Sequence, residues 1–393
     1  MLTVLVAPVL VVWGAVAVTS AAKSSRENAI LNSNSPRPLP FSGTTTTTLP
    51  PATTTTLPPT TTTTEATTTT SSTTTTTSPT TTSTTVPDSC AIANPVHGVL
   101  TTLTSVGDSP AKLATSPSGS QVYVVLNSYS GASTLRVIDT STNETWPIDV
   151  GVNAQFLAVT PDGSRVYVPN VGGSSVSVID TATKSVTATI PVAATPTWVA
   201  ANSTAAFIAH NNFGSTLISV ILHSDNSVTT FDPGFQVRGF AMSSDGSKLY
   251  ASGQSGTVWV IDTATKASTM LLDLGAGTFP ESIELSTDGS TLYVGGSFTN
   301  LYVIDVSSGS LTATVSVTYT ADVAVSPDGA FVYVVDQNTN SLSVVDTTTN
   351  AVVETVTVGT TPLGVAVSDD GSLVFVSNYV GDSLTVISPC TAP

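Results

Sequence analysis

The sequence is poor in the residues that most often carry chemistry. Its 393 residues include two cysteines, three histidines and ten basic residues, and only 9% of the chain is charged. The histidines, His97, His210 and His223, form no His-x-x-x-His motif and no cluster with carboxylates, so we expect surface or loop histidines and no metal site. Phosphate-binding loops, dinucleotide fingerprints and nucleophile elbows are also missing, and we expect no cofactor.

Positive charge is scarce in the part of the chain that can fold. Three of the ten basic residues precede residue 90, and the remaining seven face 23 acidic residues. Binding to nucleic acid depends on clustered Lys and Arg that neutralise phosphates. The composition therefore predicts no nucleic-acid partner and no contact between the folded part and an anionic membrane.

The N-terminal segment, residues 1–22, is apolar and ends in small residues. Ser20 and Ala22 occupy the −3 and −1 positions of a possible cleavage site. We predict a signal peptide, although the segment lacks a basic n-region, and an uncleaved membrane anchor is the alternative. Against the anchor, Lys23 and Arg26 would hold the folded part on the inner side of the membrane.

Residues 23–89 are dominated by Thr and Pro, most densely in residues 44–87. Bulky apolar side chains are nearly absent there, so this segment cannot build a core. We predict a disordered stalk. Dense Thr with Pro is typical of O-glycosylated stalks, and a plain linker is the alternative. Together with a signal peptide, the stalk predicts a protein that is secreted or displayed on the cell surface.

Residues 90–393 contain an internal repeat that two independent anchors define. The first anchor is a turn of the Pro-Asp-Gly type, and the gap of 83 residues between two of its copies covers two periods, with a degenerate copy near residues 202–205. The second anchor ends in Val-Ile-Asp or a relative. The turn glycines are Gly119, Gly163, Gly246, Gly289, Gly329 and Gly371, and the second anchor falls at Asp139, Asp180, Leu222, Asp262, Asp305, Asp346 and Ser388. Both anchors give seven units of about 42 residues.

The pattern of each unit predicts four short strands separated by turn residues. In the second unit the predicted strands are residues 157–160, 165–169, 175–179 and 185–192, which are rich in Val, Ile and Thr. We expect the Asp residues of the second anchor to cap the turns that follow them. Seven four-stranded units with a period near 42 predict an all-β fold, a seven-bladed β-propeller with antiparallel blades.

The ends of the repeat predict how the ring closes. The last unit stops at its third strand, residues 384–387, while residues 99–105 resemble an outermost strand that precedes the first unit. The N-terminal strand is therefore expected to complete the seventh blade. Cys90 and Cys390 would meet at that seam, which favours a disulfide over two unrelated thiols. In the chain-entropy model such a bond would contribute on the order of 5 kcal/mol, and it indicates an oxidising compartment.

Two stretches of the second unit, residues 167–170 (YVPN) and 175–181 (SVSVIDT), resemble the YVTN-type β-propeller repeat family of bacterial and archaeal surface-layer and secreted proteins. Looser copies stand at residues 333–336 and 375–378. The resemblance covers about residues 99–388 and implies the propeller fold and a surface location. Relatives of this propeller include adhesins, lactonase-like enzymes and electron-transfer subunits, so the fold alone does not choose a function.

Candidate binding residues lie on the loops between second and third strands and between blades, where propellers often bind at the channel mouth. These loops differ between units and carry aromatic and charged side chains, which can anchor interfaces or plug gaps between blades. The candidates are Phe156, Trp198, His210, Phe213, Phe235, Arg238, Phe279, Glu281, Tyr319, Asp322 and Tyr379. The third unit lacks both turn anchors and is the expected specialised blade.

Three functions are compatible with these features. The first is a monomeric extracellular binding or structural module that engages a protein or glycan of the cell envelope or of a neighbouring cell, and it predicts that loop aromatics are needed for binding. The second is an extracytoplasmic lactonase-like hydrolase, in which acids such as Asp322 or Glu281 converge on the central channel. The third is an architectural surface protein without a discrete ligand.

Overall fold

The computed structural model describes residues 96–104, 106–211, 216–296 and 300–391, and these form seven four-stranded antiparallel sheets. The predicted all-β, seven-bladed propeller is confirmed. The predicted signal peptide, the stalk and Cys90 lie outside the described residues, as does the side chain of Cys390. The disulfide between the two cysteines therefore stays a prediction.

Every blade follows the chain from its innermost strand outward, and blade 7 takes its outermost strand from the N-terminus. Blade 1 contains β2 (Pro110–Thr115), β3 (Gln121–Leu126), β4 (Ala132–Asp139) and β5 (Thr145–Val152); blade 2 contains β6 (Ala158–Val159), β7 (Arg165–Asn170), β8 (Ser175–Asp180) and β9 (Ser185–Pro191); blade 3 contains β10 (Pro196–Ala201), β11 (Ala205–His210), β12 (Ile218–Leu222) and β13 (Val228–Phe231). Blade 4 contains β14 (Val237–Met242), β15 (Lys248–Gly253), β16 (Thr257–Asp262) and β17 (Ser268–Asp273); blade 5 contains β18 (Pro280–Leu285), β19 (Thr291–Gly296), β20 (Leu301–Asp305) and β21 (Ser310–Val315). Blade 6 contains β22 (Asp322–Val325), β23 (Phe331–Asp336), β24 (Ser341–Asp346) and β25 (Ala351–Thr357); blade 7 contains β26 (Pro362–Val367), β27 (Val374–Asn378), β28 (Ser383–Thr391) and β1 (Val96–Leu103).

The turn between the first two strands of a blade is held by its own side chains. In blade 2, Gly163 adopts a φ of 69°, a left-handed conformation that glycine reaches without strain. The Asp162 carboxylate accepts hydrogen bonds from the Thr160 hydroxyl at 2.5 Å and from the Ser164 backbone N–H at 3.0 Å. These bonds hold the pKa of Asp162 down at about 2, because they favour the ionised carboxylate. The turn residues that mark the repeat in the sequence therefore have a structural role.

Blade 3 has a turn two residues shorter at the position where a degenerate copy is predicted, closed by the hydrogen bond from the Asn202 backbone N–H to the Ala205 carbonyl, where blade 2 has the bond from Thr160 to Arg165. The Asn202 side-chain oxygen accepts the backbone N–H groups of Thr204 and Ala205 at 2.9 and 2.8 Å. Its amide nitrogen donates to the Gly246 carbonyl of blade 4 at 3.0 Å. The Asn202 side chain therefore stabilises the turn in place of the Pro-Asp-Gly residues, and it also links blade 3 to blade 4.

The Asp residues that recur at the ends of third strands are also explained by turns. Asp180 accepts the backbone N–H and the hydroxyl of Thr183 at 2.7 and 2.8 Å, and Asp346 caps Thr349 in the same way. The prediction that these carboxylates cap the following turn is confirmed.

The core lies between neighbouring blades and is built from the second and third strands. Tyr167 of blade 2 is fully buried against Val199 and Ile208 of blade 3, and Tyr123 and Tyr333 are buried in equivalent clusters. Burial of apolar surface on both faces of each blade is the main driving force for assembling the ring.

The ring closes as the sequence predicts, with the N-terminal strand β1 paired antiparallel to β28. The register runs from Val96 opposite Thr391 to Leu103 opposite Leu384. Blade 7 therefore joins the two ends of the propeller, and β1 forms its exposed outer edge.

His97 fastens this closing strand to blade 6. It is 4% exposed, and both its backbone N–H and its Nδ1 face Glu354 Oε2, at 3.0 and 2.8 Å. Its Nε2 lies 3.2 Å from the Tyr333 hydroxyl. The expectation of a surface or loop residue is wrong for His97 and also for His210, which is 2% exposed. Blade packing covers both rings and supplies each with hydrogen-bond partners.

Replacing His97 by Ala is expected to lower the free energy of unfolding by about 2–3 kcal/mol, because the Tyr333 hydroxyl loses its ring partner and Glu354 keeps only the backbone N–H of residue 97. Val99→Ala is the matched control on the same strand. The Val99 side chain is 46% exposed, so the change should stay within about 0.5 kcal/mol. Urea unfolding measures both, and equal effects would show that His97 does not fasten the seam.

Candidate functional site

The innermost strands surround a central cavity of about 680 Å³. Its wall includes residues of β2, β10, β18, β22 and β26, and it reaches the prolines of first-to-second-strand turns, Pro117, Pro161 and Pro327. The cavity therefore extends toward the face that carries these turns. A volume of this size suits a small-molecule ligand.

An ion pair crosses the cavity. The Lys112 ammonium of blade 1 lies 2.7 Å from Asp322 Oδ1 of blade 6 and donates to the Ala321 carbonyl at 3.0 Å. Asp322 Oδ1 also accepts the Ser282 hydroxyl at 3.2 Å, and Oδ2 accepts the Val365 backbone N–H at 3.0 Å. Both side chains are about 15% exposed. Asp322 thus joins blades 1, 5, 6 and 7 at the centre of the ring.

Two aromatic side chains lie beside the Lys112 ammonium. Its nitrogen is 5.4 Å from the centre of the Trp198 ring, within the range of a cation–π contact. Trp198 packs on Phe156, with ring centroids 4.2 Å apart. Phe156, Trp198, Lys112 and Asp322 therefore form one layer across the cavity.

Glu284 is the exception in a ring of alanines. In each blade, one first-strand residue pairs with the aromatic residue of the second strand, and in six blades that residue is alanine. The pairs are Ala114 with Tyr123, Ala158 with Tyr167, Ala200 with Phe207, Ala241 with Tyr250, Glu284 with Tyr293, Ala324 with Tyr333 and Ala366 with Phe375. Glu284 lines the cavity together with Ala114, Ala324 and Ala366.

Its surroundings keep the Glu284 carboxyl protonated at neutral pH. Protein surrounds the side chain, although part of its surface is open to the cavity. Incomplete solvation, and to a lesser extent the negative charge of Asp322, together raise the pKa of Glu284 from 4.5 to about 8. A carboxylic acid that titrates near neutrality in a cavity is a common property of functional sites.

The structure brings three of the sequence candidates to this cavity: Phe156, Trp198 and Asp322. Three others are packed inside the fold. His210 contacts Ser219 Oγ at 2.7 Å, Phe235 stacks on Trp259 with centroids 4.5 Å apart, and the Tyr379 hydroxyl lies 3.3 Å from the Tyr129 hydroxyl. Their contacts are those of core and blade-to-blade packing.

Four of the remaining candidates, Arg238, Phe279, Glu281 and Tyr319, are not part of the cavity wall. Arg238 and Glu281 approach each other at 3.9 Å, and Phe279 nearby is 47% exposed with a φ of 40°. Tyr319 is half-buried, and Phe213 lies outside the described residues. Arg238, Phe279 and Glu281 form the exposed part of the predicted set.

Glu284 is absent from the candidates that the sequence suggested. A signal was present, because aligning the seven units on their turns places Glu284 where six other units have alanine. Within the described residues no group of three or more His, Cys, Asp or Glu is arranged to hold a metal ion. None of the helices in that part of the chain is long and apolar enough to span a membrane.

Comparisons with known proteins show the fold. Residues 292–389 match the model of a family described as "Lactonase, 7-bladed beta-propeller". The matched segment begins in β19 and ends in β28, and it contains Asp322 but neither Lys112 nor Glu284. A comparison with curated protein sequences gives no match. Many solved structures are similar. One of them, Kuenenia stuttgartiensis Hydrazine Synthase, shares 21% identity with a TM-score of 0.63, covering 72% of this chain and 96% of that one.

Proposed function

We propose that this protein is an extracytoplasmic propeller of the YVTN type that binds a small polar ligand in its central cavity. The observation that carries the proposal is Glu284, whose carboxyl group stands alone among alanines in a cavity of about 680 Å³. Among the described residues none of the ion pairs involves this carboxyl group, and part of the side chain is open to the cavity, so the group is accessible to a ligand. Blade 5 has glutamate at the position where the other six blades have alanine, and this difference is consistent with ligand recognition.

The layer of Phe156, Trp198, Lys112 and Asp322 supports the same site. Lys112 and Asp322 hold each other at 2.7 Å, so the layer is positioned before any ligand arrives. Trp198 and Phe156 add aromatic surface beside it. Rigid polar groups next to aromatic surface are typical of small-molecule sites. The location outside the cytoplasm rests on the apolar N-terminal segment, the Thr-rich residues 44–87 and the predicted disulfide.

A thermal-shift panel tests the cavity as a binding site. Full-length protein is heated with neutral sugars, hydroxy acids, amines and sugar lactones, each beside the variant Glu284→Gln. A ligand at about 100 times its dissociation constant should stabilise the fold by about 2.7 kcal/mol. A stabilisation that disappears in the variant supports the proposal. A stabilisation that persists in Glu284→Gln and disappears in Phe279→Ala moves the site to the exposed loops, where the protein or glycan partner is expected.

Hydrolysis of a lactone is a second candidate function, favoured by the family match and by the protonated Glu284. Water would add to the ring carbonyl carbon while the carboxyl group of Glu284 protonates the ring oxygen as the C–O bond breaks. The proton lost by the attacking water then returns Glu284 to its acid form, which balances the reaction. Carboxylic acids with raised pKa values serve in this way as general acids.

Turnover of glucono-1,5-lactone and δ-valerolactone, followed by acid release at constant pH, tests this second function. Activity should be lost in Glu284→Gln and fall as the pH rises through about 8, because the acid form is then depleted. Glu281→Gln, three residues earlier and outside the cavity wall, should retain activity. No turnover above the spontaneous rate would reject the enzymatic function and leave the binding function standing.

A further inference from the structure

The charged groups of the cavity do not balance. Among the residues that the structure describes, the wall contains one cation, Lys112, against Glu284, Asp322 and the exposed Asp369. Lys112 is committed to Asp322 at 2.7 Å. Among the described residues, none of the ion pairs involves Glu284 or Asp369. The cavity therefore carries an uncompensated negative charge whenever Glu284 is ionised, and an anionic ligand would increase that imbalance.

The rest of the wall favours an organic cation over a metal ion. Calcium takes six to eight oxygen ligands, and magnesium needs six in a strict octahedron. Asp322 already uses both of its carboxylate oxygens on protein donors, which leaves Glu284 as the single inner carboxylate. Around it stand alanine, proline and valine side chains together with Trp198 and Phe156. Such a surface suits a ligand with an apolar body and one ammonium group.

We infer that the cavity binds a small organic ammonium ion, and that its ammonium group donates hydrogen bonds to the carboxylate of Glu284. This inference rests on the proposed function and narrows its ligand class. The apolar body of the ligand lies against the alanine ring and the aromatic layer. The positive charge of the ammonium group balances the negative charge of the Glu284 carboxylate.

Binding of a cation is coupled to release of a proton. The free protein keeps Glu284 protonated at pH 7, because burial raises its pKa to about 8 and Asp322 acts in the same direction. The other titratable groups near it are Lys112 from blade 1, Asp369 at the turn of blade 7 and Tyr293 on the neighbouring strand β19. The cation stabilises the carboxylate, so one proton leaves Glu284 as the complex forms. Affinity therefore rises with pH up to about 8 and then levels off.

A matched set of three probes tests the inference: 2-phenylethylammonium, 2-phenylethanol and 3-phenylpropanoate. They share an aromatic body and differ in charge. Isothermal titration calorimetry on the full chain measures affinity at pH 6, 7, 8 and 9, and paired buffers of different ionisation enthalpy at pH 7 count the protons released. The ammonium probe should bind with release of about one proton, and its affinity should rise about ninefold from pH 6 to 7 and about fivefold from pH 7 to 8.

Two variants distinguish a specific contact with Glu284 from the overall negative charge of the protein. Glu284→Gln should abolish the proton release and weaken the ammonium probe at least about tenfold at pH 8.5, while Glu281→Gln should leave both unchanged. Equal binding of the alcohol and the ammonium probe overturns the inference but leaves a ligand-binding cavity. Displacement of the ammonium probe by millimolar calcium or magnesium overturns it in favour of a metal site. Absence of binding by all three probes and by the thermal-shift panel overturns both proposals.

Discussion

Replacing Glu284 by Gln is expected to raise the free energy of unfolding at pH 9 by about 3 kcal/mol and to leave it almost unchanged at pH 4. In the unfolded chain this carboxyl group ionises near its usual pKa of 4.5, whereas in the folded protein it ionises near 8. Between these values the folded state binds more protons, so the wild-type protein loses stability as the pH rises from about 4.5 to 8. Above pH 8 the loss is complete.

The size of this effect follows from the raised pKa. Each unit of pKa difference corresponds to about 1.4 kcal/mol. Because part of the Glu284 side chain is open to the cavity, the expected change is smaller than the full pKa difference would give. Gln has the same shape and no charge, so the difference between the two proteins isolates Glu284 from other titrating groups. Thermal or urea unfolding between pH 4 and 9 measures it. A constant difference across this range would show that Glu284 is fully solvated in the folded protein.

Breaking the Lys112–Asp322 pair from one side is expected to destabilise the ring by about 3 kcal/mol. In Lys112→Met the Asp322 carboxylate remains 14% exposed, next to Glu284, with no cation to offset its desolvation. Removing one partner of a buried pair is costly because it leaves an uncompensated charge. Asp322→Asn should also destabilise the ring, because it leaves the Lys112 ammonium near Trp198 without its carboxylate partner.

The double variant Lys112→Met/Asp322→Asn provides the control. Removing both charges together should recover about 2 kcal/mol or more relative to the sum of the single changes. Urea unfolding at pH 7, followed by fluorescence and circular dichroism in parallel, yields the three values. Strictly additive single effects would indicate that the two side chains do not act as a pair across the cavity.

Local features of the chain were enough to predict the fold. Thr160, Asp162 and Gly163 form a turn from their own conformational preferences and hydrogen bonds, and the same pattern recurs along the chain with a period near 42 residues. The N-terminal strand was predictable because the last unit lacks an outermost strand, and antiparallel pairing with β28 supplies it. Strand ends shifted by a residue or two. In blade 2 the first strand is only Ala158–Val159, because few of its residues pair with β7.

The candidate site was harder to predict, since aromatic side chains in loops of similar composition have different surroundings. Phe235 stacks on Trp259 within its own blade, whereas Trp198 faces the cavity beside Lys112. The sequence places both just before or at the start of a first strand. Only the packing of neighbouring blades distinguishes an aromatic residue in the core from one at the cavity.

The sequence by itself determined the number of blades, the order of strands and the closing strand, because turns, alternation and period are local properties of the chain. The tertiary structure decided which side chains meet at the centre. Lys112, Trp198, Glu284 and Asp322 belong to four different blades and converge only when the ring closes. Closure also surrounds Glu284 with protein, and that loss of solvation, which no local pattern encodes, gives an ordinary glutamate a pKa near neutrality.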